Sequence, residues 1–126
     1  MRKSELFDAL ADFVCEKCEV SPDLVLSGSK ISSAVDARYM IVYYLRKSGF
    51  TNDDIALIIL RRKMGDKDFV PSTRDLKNKS KAVDMMYRSY FNRYEESYTF
   101  RLISAAIKEF CLAFYDNAMK SYGNRS

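Results

Sequence analysis

The stretch FTNDDIALIILRRKMGDKDFVPSTRDLKNKSK, residues 50–81, contains two signals for the start of a helix. Thr51 is followed three positions later by Asp54, and Ser72 is followed at the same spacing by Asp75. At this spacing the hydroxyl accepts a hydrogen bond from the backbone of the third residue, which caps the first turn. The stretch therefore predicts two helices, one beginning after each capping residue.

The residues between the two signals predict how these helices are connected. An apolar run over residues 52–60 predicts the first helix, and the run from Ser72 continues to about residue 93 as the second. Between them, residues 61–71 are rich in basic side chains and are interrupted by Gly65 and Pro71, which favour a turn. Two helices joined by a turn form the outline of a helix-turn-helix.

Helical signals continue on both sides of this stretch. Residues 4–18 place apolar side chains at helical spacing, and Ser21 before Pro22 is a second kind of helix-start signal. A last helix is predicted over about 97–121, and its apolar side chains form one stripe: Leu102, Ile103, Ala106, Ile107, Phe110, Phe114 and Ala118. Such a stripe needs a partner surface, either within the chain or in a dimer.

The segment AVDARYMIVYYLRKSG, residues 34–49, is open to two interpretations. Its β-branched and aromatic residues over 39–45 also suit a strand. We favour a buried central helix, because no other segment resembles a partner strand and Gly49 is typical of a helix end. The chain is thus predicted to be all-α, with about six helices in a single domain over residues 1–126.

Composition agrees with one packed domain. The chain has 126 residues, of which 48% are apolar and 30% charged, a balance typical of globular proteins. No apolar run approaches the roughly 20 residues of a membrane span, and acids occur within the first ten residues, where a signal peptide is apolar. Three cysteines, an odd number, fit a reducing compartment. We therefore expect a cytoplasmic protein with no membrane partner.

Positive charge is concentrated near the middle of the chain. The net charge is +4, but residues 61–81 alone carry eight basic and three acidic groups, net +5, and residues 28–47 carry four and one, net +3. Residues 1–27, with three basic and six acidic groups, are net −3. Two basic blocks favour a polyanionic partner such as nucleic acid. The alternative is an ordinary charged turn exposed to solvent.

The sequence contains none of the residue patterns typical of an enzyme. It has no histidine, which is the commonest general base and metal ligand. Cys15 and Cys18 are two ligands where a structural zinc site needs four, and we expect Cys18 in the core stripe with Cys15 beside it. No glycine-rich phosphate-binding motif occurs. We predict no catalytic residue, metal, cofactor or small-molecule substrate.

Several separately spaced positions between residues 20 and 56 carry a resemblance to a known family. They are Val20, Ser21, Leu24, Lys30, Val35, Ala37, Arg38, Tyr43, Arg46, Phe50, Thr51, Asp54, Ile55 and Ala56. Together they resemble the C-terminal DNA-binding domain of the bacterial replication initiator DnaA, a helical domain related in fold to the Trp repressor. The resemblance implies such a core over residues 1–94, with an additional helix over 95–126, and a role in replication or transcription regulation without an ATPase.

The chain departs from the family pattern where that domain reads DNA bases. The family carries a Gly-Arg-Asp-His-Thr-Thr-Val signature, whereas this chain has GDKDFVPST from Gly65, with Phe69 in the histidine place. Val70 and Pro71 are inserted before Ser72, and four further residues, RRKM, precede Gly65. The DNA sequence preference of the family therefore does not carry over.

The predicted contacts with double-stranded DNA come from the resemblance and from the basic blocks. The resemblance implies that Arg38 contacts phosphate and that the loop of Lys30 reaches a groove, and the start of the second helix is expected to meet base edges. Basic residues of the turn would clamp phosphates. The predicted DNA-binding residues are Lys30, Arg38, Thr51, Arg61, Arg62, Lys63, Lys67, Ser72, Thr73, Arg74 and Lys77.

The alternative function is a protein interaction module that kept the fold and lost the DNA surface. In that case residues 83–121 would form a homodimer or partner interface. The aromatic stripe of Tyr87, Tyr90, Phe91 and Tyr94 is expected in the core or in this interface rather than as a platform for stacked bases.

Overall fold

A computed structural model describes the backbone of residues 2–123 and the side chains of residues 2–114. Within that part of the chain every regular element is a helix. The helices are α1 (Lys3–Cys18), α2 (Pro22–Leu26), α3 (Ser32–Lys47), α4 (Asn52–Met64), α5 (Thr73–Glu96) and α6 (Tyr98–Gly123). The predicted all-α fold of about six helices is confirmed. None of the described helices is both long and apolar enough to span a membrane.

The predicted caps determine where α4 and α5 begin. The Asp54 amide donates to the Thr51 hydroxyl at 3.0 Å, and the Thr51 amide donates back to the Asp54 carboxylate at 2.9 Å. The Ser72 hydroxyl accepts from the Asp75 amide at 3.1 Å. All three hydrogen bonds satisfy backbone N–H groups that the start of a helix leaves without partners.

The central helix is α3, and the segment 39–45 lies inside it as predicted. It packs against each of the other five helices. Its buried side chains are Ala34, Ala37, Met40, Ile41, Val42 and Leu45. Gly49 follows the helix with φ at 97°, a left-handed conformation that glycine adopts without steric strain. A single buried cluster takes side chains from all six helices.

The last helix, α6, packs within the chain against α1, α3 and α5. Its buried positions are Phe100, Ser104, Ile107 and Cys111, which share one face of the helix. The prediction that Leu102 belongs to the buried stripe is wrong: it is 53% exposed. Leu102 lies about 200° around the helix from Phe100, whose side chain faces the core. Ala118 lies outside the described side chains.

An aromatic cluster joins α3, α5 and α6. The rings of Tyr43 and Tyr90 stack with centroids 3.7 Å apart, and the Tyr44 hydroxyl donates to the Ser104 carbonyl at 2.9 Å. Tyr90 is buried, as expected of the aromatic stripe, whereas Phe91 is 54% exposed. The cluster therefore ties the C-terminal half of α5 to the core.

Cys15 is more buried than predicted. It is 3% exposed in the core, and Cys18 packs against the core and is only partly buried. At about 100° per residue Cys18 lies between Val14 and Cys15, on the buried side of α1, but it is the last residue of the helix. Burial raises the pKa of the Cys18 thiol to about 12, so it stays protonated at neutral pH. Among the described residues, no cluster of three or more His, Cys, Asp or Glu side chains could hold a metal.

Candidate nucleic-acid interface

The first helix of the predicted helix-turn-helix is longer than expected. The turn was predicted to begin at residue 61, but α4 continues to Met64 and is capped by Gly65, whose φ is 66°. Arg61, Arg62 and Lys63 therefore lie in the last helical turn, not in a loop. Their positive charges there are favourable because the C-terminal end of a helix carries partial negative charge.

The connection to α5 spans residues 65–72, longer than the three or four residues of a typical helix-turn-helix. Its conformation is held by local bonds. The Arg61 side chain donates from Nε to the Phe69 carbonyl at 2.9 Å, and the Asp68 amide donates to the Asp66 carboxylate at 2.9 Å. Lys67 is exposed in this connection. The inserted residues thus form a bonded loop.

The contacts between α4 and α5 show how the two helices cross. Ser80 donates to Asp53 in the first turn of α4, whereas the neighbouring Lys79 interacts with Lys63 in the last turn. Lys79 and Ser80 are separated by only about 1.5 Å along α5, but Asp53 and Lys63 lie about 15 Å apart along α4. The axis of α5 therefore crosses that of α4 and does not run alongside it.

The N-terminal half of α5 has an inner side and an exposed side. On the inner side Leu76 packs against the core, and Lys79 lines a cavity. Ser80 donates to Asp53 of α4, and Val83 is the first fully buried residue of the helix. Arg74, Lys77 and Lys81 are exposed, and none of them forms an ion pair with any described residue. The exposed side of α5 thus presents positive charges that no carboxylate of the described residues neutralises.

These three cations occupy one face of α5. At about 100° per residue, Arg74, Lys77 and Lys81 fall within about 60° of the helix circumference, and Asn78 lies next to them. Val83 lies about 180° from Arg74, so Arg74 points directly away from the core. Lys77 and Lys81 are exposed at the border with α4, where they line a shallow groove with Asp53. We name this face, formed by Arg74, Lys77, Asn78 and Lys81, the basic face of α5. Arg74 and Lys77 were predicted from the sequence, whereas Asn78 and Lys81, which the helical period relates to them, were not.

Two of the other predicted contacts are occupied inside the protein. Arg38 donates from Nε to the Val25 carbonyl at 2.6 Å and from Nη2 to the Leu24 carbonyl at 2.9 Å, which secures the C-terminal end of α2. Partial burial lowers the pKa of its guanidinium. Arg62 forms an ion pair with Asp8 of α1 at 2.6 Å. Both arginines have structural partners, and a phosphate would compete with them.

The remaining predicted residues divide by location. Thr51 begins α4, about 20 Å along the helix from its basic last turn, and its hydroxyl is engaged in the cap. Ser72 caps α5, and Thr73 is exposed beside it. Three exposed lysines form no ion pair within the described chain: Lys30, Lys63 and Lys67.

Replacing Arg38 by alanine is expected to lower the free energy of unfolding by about 1.5–3 kcal/mol. The reason is that two carbonyl groups of α2 lose a charged donor. Chemical denaturation followed by circular dichroism measures the change. Lys30→Ala is the control, because Lys30 is exposed and forms no ion pair with a described residue, so its effect should stay within about 0.5 kcal/mol. Equal stability of the Arg38→Ala variant and the wild type would contradict the anchoring role.

Comparison with known proteins gives no identification. No protein-family model matches the chain, and no curated protein or solved structure is significantly similar to it.

Proposed function

We propose that this protein is a small helix-turn-helix protein that binds double-stranded DNA, with the basic face of α5 directed into the major groove. The resemblance of residues 20–56 to the DNA-binding domain of the replication initiator supports this reading. The single observation that carries the proposal is the exposed basic face of α5, where Arg74, Lys77 and Lys81 form no ion pair with any described residue.

The residue types on this face suit the two kinds of contact that DNA offers. The major groove admits an α-helix, and there arginine pairs with guanine and asparagine with adenine through paired hydrogen bonds. Arg74 and Asn78 are therefore the proposed base-reading residues. Lys77 and Lys81, with Lys63 and Lys67 beyond the helix, are proposed to contact phosphates, which position the protein without reading sequence.

Titration of a fluorescently labelled duplex of random sequence tests the proposal, with anisotropy measured at low salt. We expect saturable binding that a shorter duplex competes away and that weakens as salt is added, because phosphate contacts release condensed counterions. Absence of binding at low salt would rule out the proposed function and leave the fold unaffected.

One observation favours a second candidate function, self-association. Phe91 of α5 and Leu112 of α6 are 54% and 58% exposed, and both line the same shallow groove together with Tyr43 and Tyr94. A second copy of the chain would cover such apolar surface. Sedimentation equilibrium would then show a dimer that Phe91→Ser weakens, whereas a monomer at all concentrations would exclude this candidate.

A further inference from the structure

A cavity of about 290 Å³ lies between the first five helices. Its apolar lining includes Phe7, Ala11, Val25, Ile41, Ile59 and Met86. The volume falls at the lower end of the roughly 300–1,000 Å³ of small-ligand pockets. The cavity lies on the core side of α5, away from its basic face. Lys63, which lies beside Lys79, is the residue through which the cavity adjoins the proposed DNA surface.

Positive groups without carboxylate partners lie at this cavity. Arg38 of α3 and Lys79 of α5 both line it, and the ammonium group of Lys63 lies close to that of Lys79. Within the described chain neither lysine forms an ion pair, and the protein acceptors of Arg38 are neutral carbonyls. Burial, and then the neighbouring charges of Lys63 and Arg38, lower the pKa of Lys79. Three cations thus meet where protein carboxylates do not neutralise them.

The acidic side chains that line the cavity both come from one helix. Asp8 and Asp12 belong to α1. The three cations Arg38, Lys63 and Lys79 come from α3, α4 and α5. The Asp8 carboxylate is neutralised by Arg62 at 2.6 Å, and Asp12 is exposed. The charge that remains beside Lys79 and Arg38 is therefore positive.

We propose that this cavity binds a small amphipathic carboxylate, with the carboxylate group at Lys79 and Arg38 and an apolar tail against the lining of Phe7, Val25 and Met86. The tail replaces empty space with packed apolar contacts. The carboxylate accepts charge-assisted hydrogen bonds from partly desolvated donors, and its charge offsets the repulsion between the cations.

Octanoate is a suitable probe, because it combines a carboxylate with a short alkyl chain. Isothermal titration calorimetry is expected to show binding of one octanoate per chain. Octan-1-ol, which keeps the tail and lacks the charge, should bind at least about tenfold more weakly than octanoate. Acetate, which keeps the charge and lacks the tail, should not bind measurably. The titrations contain no DNA, so their failure and the failure of DNA binding are distinguishable.

Two variants test the position of each part of the ligand. Lys79→Met keeps the length of the side chain and removes the charge, and should weaken octanoate binding about tenfold or more while leaving octan-1-ol binding unchanged. Ala11→Leu adds volume inside the cavity and should weaken both probes. Lys108→Met, an exposed lysine on α6, is the control and should change neither. Equal affinity for octanoate and octan-1-ol, no octanoate binding, or unchanged binding to the Lys79→Met variant would overturn the proposal.

Discussion

Replacing Phe100 by alanine is expected to lower the free energy of unfolding by about 3–5 kcal/mol. The Phe100 side chain is 1% exposed and its ring centroid lies 5.3 Å from that of Tyr90, so truncation leaves a cavity where α6 meets α5. Urea denaturation followed by circular dichroism measures the loss. Because single domains are stable by only about 5–15 kcal/mol, this variant should unfold at a much lower urea concentration.

Leu102→Ala is the matched control, on the same helix and two positions away. Leu102 is 53% exposed, so its truncation should change the free energy of unfolding by no more than about 0.5 kcal/mol. Equal effects of the two substitutions would contradict the packing of α6 against α5 through Phe100.

Ending the chain at Tyr94 removes Phe100, Ile107 and Cys111 together and should unfold the protein outright.

Local signals in the sequence were sufficient to predict the helices. Thr51 and Ser72 cap α4 and α5 at the predicted positions, because capping depends on side chains within three residues of each other. Gly49 ends α3 for an equally local reason. The choice of helix over strand for residues 39–45 was also correct, since no other segment offered a partner strand.

Features that depend on distant neighbours were not predictable from the sequence. The Arg38 side chain donates to carbonyls 13 and 14 residues away in the sequence. Arg62 forms an ion pair with Asp8, which lies far from it in the sequence, in α1. Periodicity indicates that a helix has a buried face but not how far its neighbours cover it, which is why the burial of Leu102 and Cys15 was predicted wrongly. The basic face of α5 was predicted in part: Arg74 and Lys77 follow the capping residue directly, whereas Asn78 and Lys81 join them only through the helical period.

The triple variant Arg74→Ala, Lys77→Ala, Lys81→Ala is expected to bind duplex DNA at least about 60-fold more weakly than the wild type at about 0.1 M salt. The two lost phosphate contacts, those of Lys77 and Lys81, each remove about 0.9 from the salt exponent, so each lowers the affinity about eightfold at that concentration. Loss of Arg74 removes a base contact in addition. The substituted side chains are exposed and form no ion pair with a described residue, so the fold should be unaffected. Anisotropy titration measures the affinity, and circular dichroism checks the fold.

A second triple variant controls for net charge alone. This variant removes the same number of positive charges from exposed positions on α1, α3 and α6, through Lys17→Ala, Lys47→Ala and Lys108→Ala. If DNA binds through the basic face of α5, this control should lose far less affinity. Equal losses in both variants would show that net charge, and not this face, governs binding.

The salt dependence of the affinity for duplex DNA tests the central claim, that α5 binds DNA through its basic face, most directly. About four to six phosphate contacts, at about 0.9 each, predict a slope of about −4 to −5 for log affinity against log salt concentration in the wild type. The Arg74, Lys77, Lys81 variant loses two proposed phosphate contacts and should give a slope that is smaller in magnitude by about 1.8. Identical slopes for the two proteins, or no wild-type binding at the lowest salt concentration, would contradict the account.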